Sequence, residues 1–302
     1  MSGRVSIFRH PSIPDTLYKY YPHPGATPFA EENLRNVLAG GKIRLTRGSE
    51  VNDAFENQPC FDGEVRPDHI YAEVARLLDA DFRGDPYMLG QQASLRQLFK
   101  SKSSLRKNKA ALFRRMRPSI DDWLGASFRV MGFCSLTEVN NSQLMWAHYA
   151  ASHQGVCVGF RSDGFHFPGT SQPVIYSPHR VTIPVEQILG RKEPQPPKDL
   201  VMKVLCTKCD QWSYEKEWRF FGVQLLENYV AEGGELVDFD RAIIAHVIFG
   251  LRASEKTRTF VRDALSDLSG PGFLDVSLSK RDFEFTVNSS EVGVSSATRA
   301  KR

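Results

Sequence analysis

Apolar and polar residues alternate along this chain in short runs, and most runs end at glycine or proline. Leu17-Tyr18-Lys19-Tyr20-Tyr21 predicts a first strand, closed by Pro22 and Pro24. Phe29, Leu34, Val37 and Leu38 then fall at helical spacing, and Gly40-Gly41 stops that helix. Lys42-Ile43-Arg44-Leu45-Thr46 alternates as a second strand and runs into the polar loop Gly48 to Glu56. Val130 to Leu136 reads as a buried strand. Asn141-Ser142 can cap a helix from Gln143 to His153, closed by Gly155, and Val156 to Phe160 follows as a short apolar strand. Residues 163–200 are rich in proline and glycine and read as loop, with a candidate strand at Val174-Ile175-Tyr176 and a short turn of helix at Val185 to Leu189. A helix is expected over Val201 to Cys209, an interior strand over Ile243 to Phe249, a helix from Ser254 to Leu268, and late strands at Leu274–Leu278 and Phe283–Val287.

The densest pattern is Trp212-Ser213-Tyr214-Glu215-Lys216-Glu217-Trp218-Arg219-Phe220. Read as one strand, it puts Trp212, Tyr214, Trp218 and Phe220 on one face and Ser213, Glu215, Glu217 and Arg219 on the other. Two like charges at i and i+2 repel unless something uses them, so the polar face is a candidate site wall. A salt-bridged edge strand is the simpler reading of the same pattern.

The order of elements predicts a mixed α+β fold, a largely antiparallel sheet with flanking helices. Residues 1–16 read as an irregular lead-in and 17–288 as a single domain with a helical, basic insertion at about 67–125. Residues 289–302 read as a disordered basic tail. No repeat, glycine-rich phosphate loop or glycine–x–serine–x–glycine elbow occurs.

Composition changes this picture little. The 302 residues are 41% hydrophobic and 25% charged, with a formal net charge of +4, ordinary values for a soluble globular protein. The sequence shows no signal-peptide pattern and no membrane-length apolar run, and it has five cysteines, so a cytoplasmic location is expected. One segment stands apart: eight basic and no acidic residues lie between Lys100 and Arg117, interleaved with Leu105, Leu112, Phe113 and Met116. Such a segment can meet a nucleic acid or an acidic protein acceptor, or simply form a solvated helix face.

His148 and Tyr149 lie about 100° apart on their helix rather than on one face. Trp146, His148 and Tyr149 can each serve either the core or a ligand. Asn52 and Asp53 suit a turn first, while Asp53 and Glu56 could also reach a site. Cys206 and Cys209 have the spacing of half a zinc site, and the second pair is missing, so no metal is expected.

Taken together, several ordered motifs resemble a bacterial family known as domain of unknown function 2971. They are Leu17-Tyr18-Lys19-Tyr20, Asn52-Asp53-Ala54-Phe55-Glu56, Phe133-Cys134-Ser135, Leu144 to Ala150, Gly155 to Phe160, Lys208, Trp212, Tyr214-Glu215, Glu217-Trp218-Arg219 and Val247 to Gly250. The likeness spans about residues 17–285; the usual family form has proline where this chain has Ala54. More distantly, strand, helix ending in glycine, strand, and a late strand with glutamate-x-glutamate resemble the ADP-ribosyltransferases. That likeness implies NAD as cofactor or substrate and a role as toxin or defence enzyme. It implies Glu217 as the catalytic carboxylate, Glu215 orienting nucleophile or substrate, Tyr18, Tyr20 and Tyr149 stacking on nicotinamide or adenine, and Arg219 or Lys19 meeting the pyrophosphate. Arg219 and His148 stand beside the two glutamates as candidate catalytic residues, and Asn52, Asp53, Ser135 and Trp146 join the tyrosines and Lys19 as candidate cofactor-binding residues. This chain lacks the family's first-strand arginine or histidine and its serine-threonine-serine strand, of which Ser135 alone is a counterpart. Two alternatives stand beside it. Asp53, Glu56, Glu215 and Glu217 could hold a hard cation in a nuclease, or the same pocket could bind a nucleotide or partner without turnover.

Overall fold

The computed structural model describes residues 10–48, 50–61, 67–81, 83–84, 86–98, 132–164, 171–184, 197–221 and 235–289. The basic segment 100–117, the turn expected at 185–189 and nearly all of the tail lie outside these residues.

The fold is α+β, as the element order predicts. The elements in chain order are β1 (Thr16–Tyr21), α1 (Ala30–Leu38), β2 (Lys42–Arg47), β3 (Cys60–Phe61), α2 (Pro67–Asp79), α3 (Pro86–Leu98) and β4 (Gly132–Thr137). Next come α4 (Gln143–Tyr149), β5 (Val156–Arg161), β6 (Ser171–Pro173), β7 (Ile175–Ser177), β8 (Thr182–Ile183), α5 (Lys198–Leu205) and β9 (Thr207–Cys209). A 3-10 turn at Asp210–Glu215 leads to β10 (Glu217–Phe221), β11 (Glu235–Asp238), β12 (Ile244–Phe249), α6 (Glu255–Ala264), β13 (Gly272–Leu278) and β14 (Phe285–Ser289). No helix of the described residues is long and apolar enough to cross a membrane.

Ten strands form one sheet, ordered β11-β2-β4-β1-β5-β12-β13-β14, with β10 and β6 branching from β4. Its pairings are antiparallel except β12 with β13. β1 pairs with β5 over its whole length, yet it meets β4 only at Tyr18 opposite Thr137. Beyond that point β2 takes over the same edge of β4, pairing Thr46 with Phe133 and Arg47 with Gly132. The sheet therefore forks between β1 and β4. Lys19 spans the fork, its Nζ donating to the Ser135 carbonyl at 2.9 Å.

Alternation along the strands separates the two faces. Cys134, Leu136, Val156, Val158, Phe160, Trp218, Phe220, Val247 and Phe249 pack against α1 and α6. On the opposite face Tyr20, Cys157 and Ile248 pack under Met145 and Trp146 of α4, and Phe133 and Phe221 pack under α5. Ser135, Glu217 and Arg219 share that second face, between the patches that α4 and α5 cover.

Three elements depart from the sequence pattern. The nine residues from Trp212 to Phe220 are not one strand: Asp210–Glu215 is a 3-10 turn, Lys216 adopts left-handed backbone at φ 42°, and only then does β10 begin. α5 ends at Leu205 and Thr207–Cys209 is a strand paired with β7, because the Ile175 amide takes the Cys206 carbonyl and draws the chain into register. α4 is capped by Ser142 as expected but stops at Tyr149; Ala151, Ser152 and His153 all lie at positive φ. That bend is held because the His153 and Gly155 carbonyls accept from Arg252 and Gly250 after β12.

Candidate functional site

The fork opens onto a cavity of about 340 Å³. Tyr18, Lys19 and Tyr20 of β1 form one wall, and Phe133, Ser135 and Thr137 of β4 form another. Asn52 and Glu56 come from the loop after β2, Met145 and Tyr149 from α4, and Lys208 from β9. Glu215 comes from the 3-10 turn, and Glu217 and Arg219 from β10.

Five of these side chains make one buried ionic cluster. Lys208 Nζ lies 2.6 Å from Glu215 Oε2, 3.4 Å from Glu217 Oε2 and 3.6 Å from Glu56 Oε2. Arg219 Nε donates to Glu217 Oε1 at 2.8 Å, its Nη2 bonds both Glu56 and Glu217, and its Nη1 reaches the Leu205 carbonyl. The guanidinium also lies 4.3 Å from the Phe133 ring centroid. Arg219 is 1% exposed, so burial this deep requires these partners.

The environments of the carboxylates differ. Burial alone would raise the Glu217 pKa, but Arg219, Lys208 and the Ser135 hydroxyl outweigh it and hold the value down at about 2. At Glu56 burial wins, and the pKa lies above the usual carboxylate value although Arg219 and Lys208 oppose the rise. Burial would lower the Lys208 pKa, but Glu217, Glu56 and Glu215 together raise it. Both cations are therefore charged at any physiological pH.

A hydrogen-bonded chain links the cluster to the rim. The exposed Asn52 amide donates to the Tyr149 hydroxyl at 3.4 Å, and Tyr149 donates to Glu215 Oε1 at 2.5 Å. Thr137 Oγ1 holds the Glu215 carbonyl, and the Tyr176 hydroxyl accepts from the Glu217 amide at 2.8 Å. Lys216 lets Glu215 and Glu217 reach the same ammonium from a turn and a strand. Their convergence is as the sequence pattern suggests, but its cause is a left-handed hinge rather than strand alternation.

Of the residues singled out in the sequence, Glu215, Glu217, Arg219, Tyr18, Lys19, Tyr20, Asn52, Ser135 and Tyr149 line this one cavity. Three do not. Trp146 is a core residue, fully buried, with its indole N–H on the Asn140 carbonyl. Asp53 makes the turn, accepting from the Phe55 amide at 2.9 Å. His148 is exposed and sits in an aromatic group outside the cavity, stacked on Tyr214 with ring centroids 6.4 Å apart. Lys208 and Glu56 complete the cluster; in the sequence Lys208 stands out only as a member of the family motif set, and Glu56 as a loop carboxylate that could reach a site or a cation. Among the described residues no group of three or more His, Cys, Asp or Glu is arranged to hold a metal ion. Lys208 lies among the three carboxylates, in the place a hard cation would need.

The model of a family described as "Protein of unknown function (DUF2971)" matches residues 145–220. The matched segment runs from α4 through β10 and contains Tyr149, Lys208, Glu215, Glu217 and Arg219, so the family resemblance holds over much of the site. No curated protein and no solved structure matches the chain.

Proposed function

We propose that the fork cavity binds a nicotinamide nucleotide and that the protein cleaves its N-glycosidic bond, in the manner of an NAD-consuming transferase or glycohydrolase. The observation that carries this reading is a charge count. Three carboxylates, Glu56, Glu215 and Glu217, face two cations, Lys208 and Arg219, at the buried wall of the cavity. Lys19 brings a third cation to the cavity from the β1 wall, where its ammonium donates to the Ser135 carbonyl; the excess of carboxylates is confined to the buried cluster itself. A desolvated cluster in which carboxylates outnumber cations favours a ligand group that is cationic or becomes so beside it.

The nicotinamide ring of NAD is cationic. When its bond to the ribose breaks, the electron pair leaves with neutral nicotinamide and positive charge develops on the ribosyl carbon and ring oxygen. Fixed carboxylates stabilise such an oxocarbenium-like transition state at no reorganisation cost. Water or an acceptor hydroxyl then forms the new bond and gives up its proton. Tyr18 and Tyr20 supply aromatic surface, and the cavity volume suits one nucleoside-sized group rather than a polymer.

The test is incubation of purified protein with NAD, followed by chromatography. Release of nicotinamide with matching loss of NAD is expected; intact NAD after prolonged incubation, with and without candidate protein acceptors, would falsify the reading.

A further inference from the structure

We infer that the carboxylate which touches the ligand is Glu215, gripping the cis-diol of a ribose while Tyr149 holds its plane, and that Glu217 is a positioning residue. This rests on the nucleotide reading above and departs from the glutamate assignment that the transferase likeness implies.

The argument is a count of acceptor positions. Each carboxylate oxygen takes about two hydrogen bonds. Among the described residues Glu217 accepts four. Ser135 Oγ at 2.6 Å and Arg219 Nε at 2.8 Å reach Oε1, and Arg219 Nη2 at 3.1 Å and Lys208 Nζ at 3.4 Å reach Oε2. It is saturated, so a ligand hydroxyl would have to displace a buried charged donor. Glu215 accepts two, Tyr149 on Oε1 at 2.5 Å and Lys208 on Oε2 at 2.6 Å. One position stays open on each of its oxygens. Two adjacent hydroxyl donors fill that pair of positions, as the parallel N–H groups of arginine fill a free carboxylate.

Glu56 also keeps acceptor capacity, but its contacts are ion pairs with the two cations. Glu215 alone of the three is tied to the rim, through Tyr149 and the exposed Asn52 amide. A ligand entering past Asn52 meets Tyr149 and Glu215 together. The Tyr149 hydroxyl is held neutral, since burial and the Glu215 charge both push its pKa up. It stays a donor to Glu215 and fixes the carboxylate plane.

The experiment is titration calorimetry with nicotinamide mononucleotide and its 2′-deoxy form. Loss of one hydroxyl donor to a charged acceptor corresponds to about 10- to 100-fold weaker binding of the deoxy form by the wild type. In Glu215→Gln the preference for the ribose form is expected to fall to roughly threefold or less, since neutral hydrogen bonds are weaker. Tyr149→Phe, which removes one oxygen and keeps the ring, is expected to fold normally and to show a reduced preference. Equal affinity of the two forms, binding of neither, or an undiminished preference in folded Glu215→Gln overturns the inference. A ribose preference without NAD cleavage sinks the cleavage reading and leaves the grip standing; cleavage without a ribose preference does the reverse.

Discussion

At the residue scale, Glu217 and Glu56 share one guanidinium, yet their surroundings pull them in opposite directions. Glu217 holds a depressed pKa of about 2 against an ordinary value of 4.5. Its folded form binds a proton less readily than the unfolded chain, so its ionised state stabilises the fold fully above pH 4.5. That contribution is lost as the pH falls toward 2. Glu56 is shifted upward, so the folded protein binds its proton more tightly than the unfolded chain does. Its ionisation therefore erodes stability as the pH rises from 4.5 through its folded value. Chemical denaturation across pH should show both limbs. Glu217→Gln should remove most of the acid-side loss, and Glu56→Gln should remove the decline on the less acidic side. Glu217→Gln should also cost about 3–5 kcal/mol near neutrality, because it leaves Arg219 and Lys208 short of a buried partner. A loss under about 1 kcal/mol would show the ion pairs to be ornamental.

At the element scale, two local backbone features set the geometry. Lys216 sits at φ 42° between the turn carrying Glu215 and the strand carrying Glu217. Lys216→Gly should relieve this conformation and raise stability by about 0.5–1 kcal/mol, whereas the β-branched Lys216→Val should lower it. The pair of substitutions, read by thermal unfolding, tests whether the hinge is real. A Cβ on Gly155 would collide with the Tyr21 carbonyl in β1, so Gly155→Ala should destabilise the β1–β5 pairing and cost about 1–3 kcal/mol. These features also explain what could be read from the sequence. β1, α1, β2, β5, β12 and α6 follow apolar periodicity and were legible from it. Thr207–Cys209 and Ser171–Pro173 are three residues long and owe their register to tertiary partners, so periodicity has no purchase on them. The stretch Trp212–Glu215 mimics a strand because a 3-10 turn can also carry alternating aromatic and polar residues. Only the backbone reversal at Lys216, which lysine does not signal, reveals the difference.

At the scale of the whole molecule, the fork between β1 and β4 turns a mostly antiparallel sheet into a container. Residues far apart in sequence meet there: Tyr18, Ser135 and Glu217 through strand pairing, Tyr149 through α4, and Glu56 through a loop. The sequence pattern picks out nine of the cavity residues as catalytic or nucleotide-binding, and Glu56 as a carboxylate within reach of a site, because they carry chemistry within dense motifs. Lys208 stands out in the sequence only through the family motif set, because a single lysine carries no periodic signal of its burial, and here it is 5% exposed. Trp146 was chosen for its ring, which the core claims instead.

The central claim is that the local excess of carboxylates in the buried cluster is what the site uses. Such an excess weakens the fold and serves the chemistry, the usual trade between stability and activity. Glu56→Gln tests it most directly, since it leaves two carboxylates facing two cations without emptying the cavity. The account predicts that this variant keeps or raises its unfolding temperature while its rate of nicotinamide release from NAD falls by about 10²- to 10³-fold, the range for loss of one preorganised electrostatic group. A folded Glu56→Gln protein that releases nicotinamide at the wild-type rate would contradict it.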